Sequence, residues 1–419
     1  MLDRTVAPAF IRSTRFDLIQ PEKITLPNGV DTFFISGGQQ DVIKIELIFN
    51  GGRWFEKIWG AANFTGNLLL KGTRTKQSTE VANIFDLYGA HVEINPGLDV
   101  ISVSLYSLNK YLTPALALLQ EVLTESVFPE KELEQARSIY LQNLKVNQEK
   151  TSFLASQQFR KQVFGDGHAY GKELEAADVN ALTREALVNH FEHCFGDVFI
   201  LVSGKIEAAG KDLIINTFST LPFNPVKSPS FAKPVDQPVR SLVEKEGSMQ
   251  SSVRIGKRFI GRTHPDYVDV LLLNHILGGY FGSRLMKNIR EDKGLSYGIY
   301  SSIHALRNDS YVVIGADVNK ENLDLTFDEI RKEFTRLRQE KIKDDELDTA
   351  RNHFIGSLQA ELSTPFAHAD KIKNILLYQL PDSYYQTMIH RLDTIHAEDL
   401  MQAADQYFAA DSFYEIAVG

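Results

Sequence analysis

Hydrophobic and polar positions alternate with a period of two from Val42 to Phe49, and again over residues 100–105. That period puts successive side chains on opposite faces and predicts strands with one buried face. The pattern then lengthens to the three-and-four spacing of helices over residues 110–125 and 129–145, where Pro129 suits a first helical turn. A further strand is predicted over residues 198–203.

Parts of this pattern occur twice. Glu132-Leu133-Glu134-Gln135-Ala136-Arg137 is answered by Glu346-Leu347-Asp348-Thr349-Ala350-Arg351, and Phe199-Ile200-Leu201-Val202 by Phe413-Tyr414-Glu415-Ile416, at nearly one offset. Similarities that keep register at separate places point to a tandem duplication. Between the copies, Pro222, Pro225, Pro229, Pro234 and Pro238 fall within seventeen residues. Such a run sustains neither a helix nor a central strand, and it predicts a stiff linker. The expected organisation is a first domain over residues 1–222, a linker over 223–239 and a second domain over 240–419. Grouped strands followed by long helices, without strict alternation, predict an α+β class in which each domain is an antiparallel-type sheet carrying one helical layer.

Composition narrows the partners. A formal charge of −9 over 419 residues argues against nucleic acid and anionic membrane surfaces as partners. The single cysteine, Cys194, excludes an internal disulfide and fits a reducing compartment, though a periplasmic protein can also lack disulfides. Asp3, Arg4, Arg12, Arg15 and Asp17 interrupt any apolar core of a signal peptide, and no stretch of about 18 uncharged apolar residues occurs. The expectation is a cytoplasmic location without a membrane span.

The chemistry is concentrated in two segments. In the first, Gly60-Ala61-Ala62-Asn63-Phe64-Thr65-Gly66-Asn67-Leu68, an i, i+4 pair of asparagines shares a helix face with a glycine beside it. This segment resembles the signature of the M16 (pitrilysin-like, inverzincin) metallopeptidases, H-x-x-E-H, reading here N-x-x-G-N. The resemblance places the family's third ligand, a glutamate on a later helix, at Asn143. Zinc takes imidazole, thiolate or carboxylate, so three neutral amides leave its charge uncompensated, and Gly66 has no group to accept a proton from water. No metal is expected on this chain.

The second segment, Gly282-Ser283-Arg284-Leu285-Met286-Lys287-Asn288-Ile289-Arg290-Glu291-Asp292-Lys293-Gly294-Leu295-Ser296-Tyr297, is similar to the family's R/Y element. The resemblance implies that Arg290 and Tyr297 hold the substrate carbonyl as negative charge builds on its oxygen. Arg284 is a second candidate. The bland reading makes Arg290 a surface ion-pair member beside Glu291 and Asp292, and Tyr297 a core strand aromatic alternating with Leu295 and Ile299. Gly278, Gly279 and Gly282 lack the lysine of a phosphate loop and predict a helix stop and a flexible loop near the substrate. Residues 89–96, which include Asn95, look like the family strand to which an extended substrate adds, except that Pro96 removes a donor.

Two histidine settings remain. His190-Phe191-Glu192-His193-Cys194 collects possible metal ligands, but a position near a helix end favours a solvated or capping role. His275 lies in an apolar run and reads as a core histidine.

The resemblance covers nearly the whole chain and implies the M16, LuxS-like metallohydrolase fold. It also implies the non-zinc subunit of an M16B-like heterodimer, related to mitochondrial processing peptidase and complex III core subunits. Its partner would carry the intact H-x-x-E-H and the zinc, and its substrates would be peptides or unfolded segments. The alternative is a structural pseudoenzyme, and a third possibility is a homodimer with metal chemistry around His190.

Overall fold

The computed structural model describes residue 5 and residues 15–232 and 235–419. The charges at Asp3, Arg4 and Arg12, and Pro234 of the linker, lie outside the described residues. Six strands, β1 (Glu22–Thr25), β2 (Asp31–Ser36), β3 (Val42–Phe49), β4 (His91–Pro96), β5 (Ile101–Leu108) and β6 (Val198–Gly204), form one sheet in the order β1-β2-β6-β3-β5-β4. Five more, β7 (Arg240–Val243), β8 (Gln250–Arg258), β9 (Ile299–Ala305), β10 (Ser310–Asn319) and β11 (Tyr414–Val418), form the second in the order β7-β11-β8-β10-β9. The two orders correspond strand for strand once β1 is set aside. Both sheets are antiparallel except for one pair, β2 with β6 and β7 with β11, which falls at the same place in each. The fold is α+β in two similar halves.

Each sheet carries its own helices on one face. On β3 the inward residues Ile43, Ile45, Leu47 and Phe49 join a core with Leu112, Leu116, Leu119 and Leu133 from the helices Leu112–Glu125 and Glu130–Gln148. The first of these begins two residues later than its sequence pattern predicts, because residues 109–111 form a tighter 3₁₀ turn.

The predicted single helical layer is incomplete, because the halves exchange a helix. Thr151–Phe164 leaves the first half and packs on β8 and β11, and Pro365–Leu377 leaves the second and packs on β6 and β2. Phe159, Val163 and Phe164 bury themselves with Val313, Tyr414 and Ile416. Each such side chain contributes about 1.5–3 kcal/mol on burial. Phe159 lies on Gly256, where a Cβ would stand 2.6 Å from its ring. In the reciprocal contact Ala369 and Ile372 cover Phe33, Ile35, Ile48 and Leu201.

Lys44 and Glu46, at polar positions of the alternation, are thereby buried. Glu46, only 3% exposed, pairs with Lys44 at 2.9 Å and with Lys373 of the exchanged helix at 2.8 Å. Burial alone would lower the Lys44 pKa, but Glu46 and Asp370 more than offset it and the pKa is raised.

The proline-rich run carries no helix or strand among its described residues. It is tied to the first half through Trp54, whose indole N–H donates to Ser228 Oγ and Pro229 O at 3.1 Å and whose ring meets Phe231 at 4.7 Å.

Candidate functional site

Asn63 and Asn67 lie on the helix Ala61–Leu68, one turn apart as their spacing requires. Their amides bond each other, with Asn67 Nδ2 donating to Asn63 Oδ1 at 3.1 Å. Asn143 lies exposed on Glu130–Gln148. Gly66 is buried, and a Cβ there would stand 3.0 Å from Pro96 Cβ and 3.2 Å from its Cγ. The two departures from the family pattern are therefore one packing event. The proline ring on edge strand β4 fills the space that a carboxylate side chain at Gly66 would enter, and proline is tolerated there because the strand is an edge.

A 130 Å³ pocket remains beside Asn63, lined by Arg53, Glu56, Pro96 and Gly97. The acid on its wall, Glu56, is turned onto the helix terminus, accepting the N–H groups of Gly60 at 3.0 Å and Ala62 at 2.8 Å. Burial raises its pKa against those bonds. These residues do not fit zinc: the amides are engaged with each other, the base position is a glycine packed closely on Pro96, and the local carboxylate caps a helix.

The His190 cluster is only partly assembled, with Cys194 Sγ 3.8 Å from His190 Nδ1. His190 Nε2 meets Gly51 O at 2.7 Å, while Glu192 and His193 are exposed. Burial holds His190 down to about 4 and pushes the Cys194 thiol up to about 12, so both are neutral near pH 7. Among the described residues no group of three or more His, Cys, Asp or Glu side chains is arranged to hold a metal.

Arg290 and Tyr297 come together. Arg290 sits on a widened π-helical segment, Met286–Asp292, and Tyr297 on the loop that follows. The guanidinium carbon lies 5.2 Å from the Tyr297 ring centroid and 4.9 Å from that of Phe281, both within cation–π range. Among the described residues no carboxylate forms an ion pair with Arg290, so the rings hold the cation without neutralising it. Tyr297 is 91% exposed. Period-two spacing would bury it with Leu295 and Ile299, but the strand starts only at Ile299, and the chain bends at Tyr297 and turns it outward. Ser296 Oγ anchors that bend to Asp317 O at 2.8 Å.

The remaining candidates are placed differently. Arg284 is buried and commits Nε and Nη2 to Glu346 at 2.7 and 2.8 Å, on the wall of a 640 Å³ cleft with Lys287, Lys293 and Glu333. Its Nη1 alone is without a partner. Asn95 is exposed on β4, bonded to Glu93 at 2.9 Å.

The expected helix stop falls at Gly279, though not through a left-handed glycine cap. Gly278, Gly279 and Gly282 do not adopt the left-handed conformation. The helix Tyr267–Asn274 instead widens into a π turn, His275–Gly279, and the glycines serve close approach. Phe281, 63% exposed, was not singled out by any motif; its signal is an aromatic set beside glycines just ahead of the arginine.

This fold, two α+β halves with asparagines and a glycine at the helix Ala61–Leu68 of one and an arginine–tyrosine pair in the other, is that of a metallopeptidase relative. Residues 35–174 match the family model for insulinase (peptidase family M16), and residues 181–354 match that for the peptidase M16 inactive domain. The chain belongs to the M16 peptidase family. The zinc protease YmxG of Bacillus subtilis, itself uncharacterised, is 24% identical over 352 residues, 82% of this chain and 85% of that protein. The non-peptidase homolog YmxG of Helicobacter pylori is 22% identical over 366 residues, 85% of this chain and 84% of that protein. The crystal structure of a peptidase M16 inactive domain from Pseudomonas fluorescens shares the fold with a TM-score of 0.88 at 24% identity, over 95% of this chain and 98% of that one. No helix among the described residues is long and apolar enough to cross a membrane.

Proposed function

We propose that this chain is the zinc-less subunit of a heterodimeric M16 endopeptidase, giving Arg290 and Tyr297 to a site whose zinc and base belong to a homologous H-x-x-E-H chain. The observation that carries this reading is the pair itself. A charged guanidinium and an exposed phenol stand together, held by aromatic faces and without a carboxylate to quench the charge. A peptide carbonyl under attack develops negative charge on oxygen, and these N–H and O–H groups would donate to it.

Mixing this chain with an intact H-x-x-E-H partner is expected to give a one-to-one complex that cleaves peptides neither chain cleaves alone. A partner fully active by itself, and unchanged on mixing, would remove the basis for a shared site.

A second reading, an assembly pseudoenzyme, is favoured by the name of the Helicobacter relative, a non-peptidase homolog. Under that reading the complex forms, but its activity does not depend on Tyr297.

A further inference from the structure

The loop that presents Phe281 to Arg290 is fastened from below by an aromatic stack built on two histidines. His275, on the π turn His275–Gly279, and His353, on the helix Asp344–Ala360, meet with Nε2 and Nδ1 3.0 Å apart. The Tyr280 ring lies on both imidazoles, 4.7 Å and 13° from His275 and 4.9 Å and 34° from His353. Phe354 closes the edge of His275 at 5.0 Å. Tyr280 and Phe281 are adjacent, so one ring is stacked inward while the next is carried out over the guanidinium.

The glycines make this packing possible. A Cβ on Gly279 would stand 2.8 Å from His275 Nδ1, and one on Gly282 would stand 2.8 Å from the Tyr280 ring. On Gly278 it would meet the Ser301 backbone nitrogen at 2.7 Å. No side chain fits at these positions without shifting the stack or β9.

We infer that His275, Tyr280 and His353 form a latch that positions Arg290 through Phe281. They are positioning residues, since none of them touches the guanidinium itself. The inference rests on the reading of Arg290 as a donor to substrate, but the latch is a property of this chain alone and is testable without a partner.

The experiment is limited chymotryptic digestion of the isolated chain at neutral pH, with cut sites assigned by mass. Cleavage after an aromatic residue requires the loop to open locally, so it reports the latch. His353 is exposed, so the His353→Ala variant is expected to keep the fold, checked by its far-UV circular dichroism. Losing one hydrogen bond and one stacking partner is expected to accelerate cleavage after Tyr280 and Phe281 by about fivefold or more. His353→Gln, which retains a hydrogen-bonding group, is expected to restore most of the protection. The latch is refuted if His353→Ala leaves the rate at this loop within about twofold of the parent, or if the glutamine variant is cut as fast as the alanine one. In the assembled complex His353→Ala is expected to lower kcat and raise KM in the same direction as Arg290→Ala but by less, and His353→Gln to restore both. If the loop loosens in the isolated chain but activity is indifferent to Arg290 and Tyr297, the latch stands and the donor reading falls.

Discussion

Tyr297 and Gly66 show how much a single residue decides in this molecule. In an active complex, Tyr297→Phe removes only a hydroxyl, and losing one oxyanion donor lowers kcat by on the order of a hundredfold. Arg290→Ala is expected to cost at least as much and to raise KM, because a charged donor holds the ground-state carbonyl as well. Steady-state kinetics on complexes of verified stoichiometry check both, and values of kcat/KM within about twofold of the parent would make the pair structural. Gly66→Glu drives a side chain into Pro96 and is expected to destabilise the chain by about 1–3 kcal/mol. Adding Pro96→Ala is expected to recover most of that loss, and additivity of the two in urea unfolding would mean that they do not share a space. The missing ligands were legible in the sequence because residue identity alone settles donor chemistry. That Gly66 and Pro96 answer each other was not, since a helix and a strand about thirty residues apart meet only in the fold.

At the level of elements, period-two alternation located β3, and three-and-four spacing located the helices Leu112–Glu125 and Glu130–Gln148 within a few residues. The same alternation gives no sign that the polar positions of β3 are covered too. The helix that covers Lys44 and Glu46 arrives more than three hundred residues later. Local pattern carries no information about a cover supplied from the other half. Glu46→Ala would leave buried Lys44 and half-buried Lys373 with only Asp370, itself half exposed, and removing one partner of a buried pair costs up to about 3–5 kcal/mol. Lys373→Met, which removes one cation and keeps its apolar stem, is expected to cost less. Equal effects of the two in denaturant unfolding would contradict this account of the cluster.

For the whole molecule, His190 and His275 contribute to the response to acid, as two of four described histidines whose pKa burial lowers. Burial pushes His190 and His275 down to about 4, so both are neutral in the folded chain at neutral pH. The unfolded chain binds a proton at each below about 6.5. Between those values the unfolded state holds more protons, so stability rises with pH. It is complete above about 6.5 and falls by on the order of 2–3 kcal/mol per histidine as pH drops toward 4. His190→Gln, which can still donate to Gly51 O, is expected to flatten that slope in urea titrations between pH 7 and 4.5. A variant with the parent slope would show that His190 does not carry it.

The exchanged helices also impose an order on synthesis. Phe159, Val163 and Phe164 are translated with the first half, yet Tyr414 and Ile416, which cover them, lie within the last six residues of the sequence. At about 5–20 residues per second, those rings wait on the order of ten seconds or more for their partners. The nascent first half therefore carries these apolar side chains uncovered, and a stop codon just short of β11 would unmake the packing of a helix finished long before it.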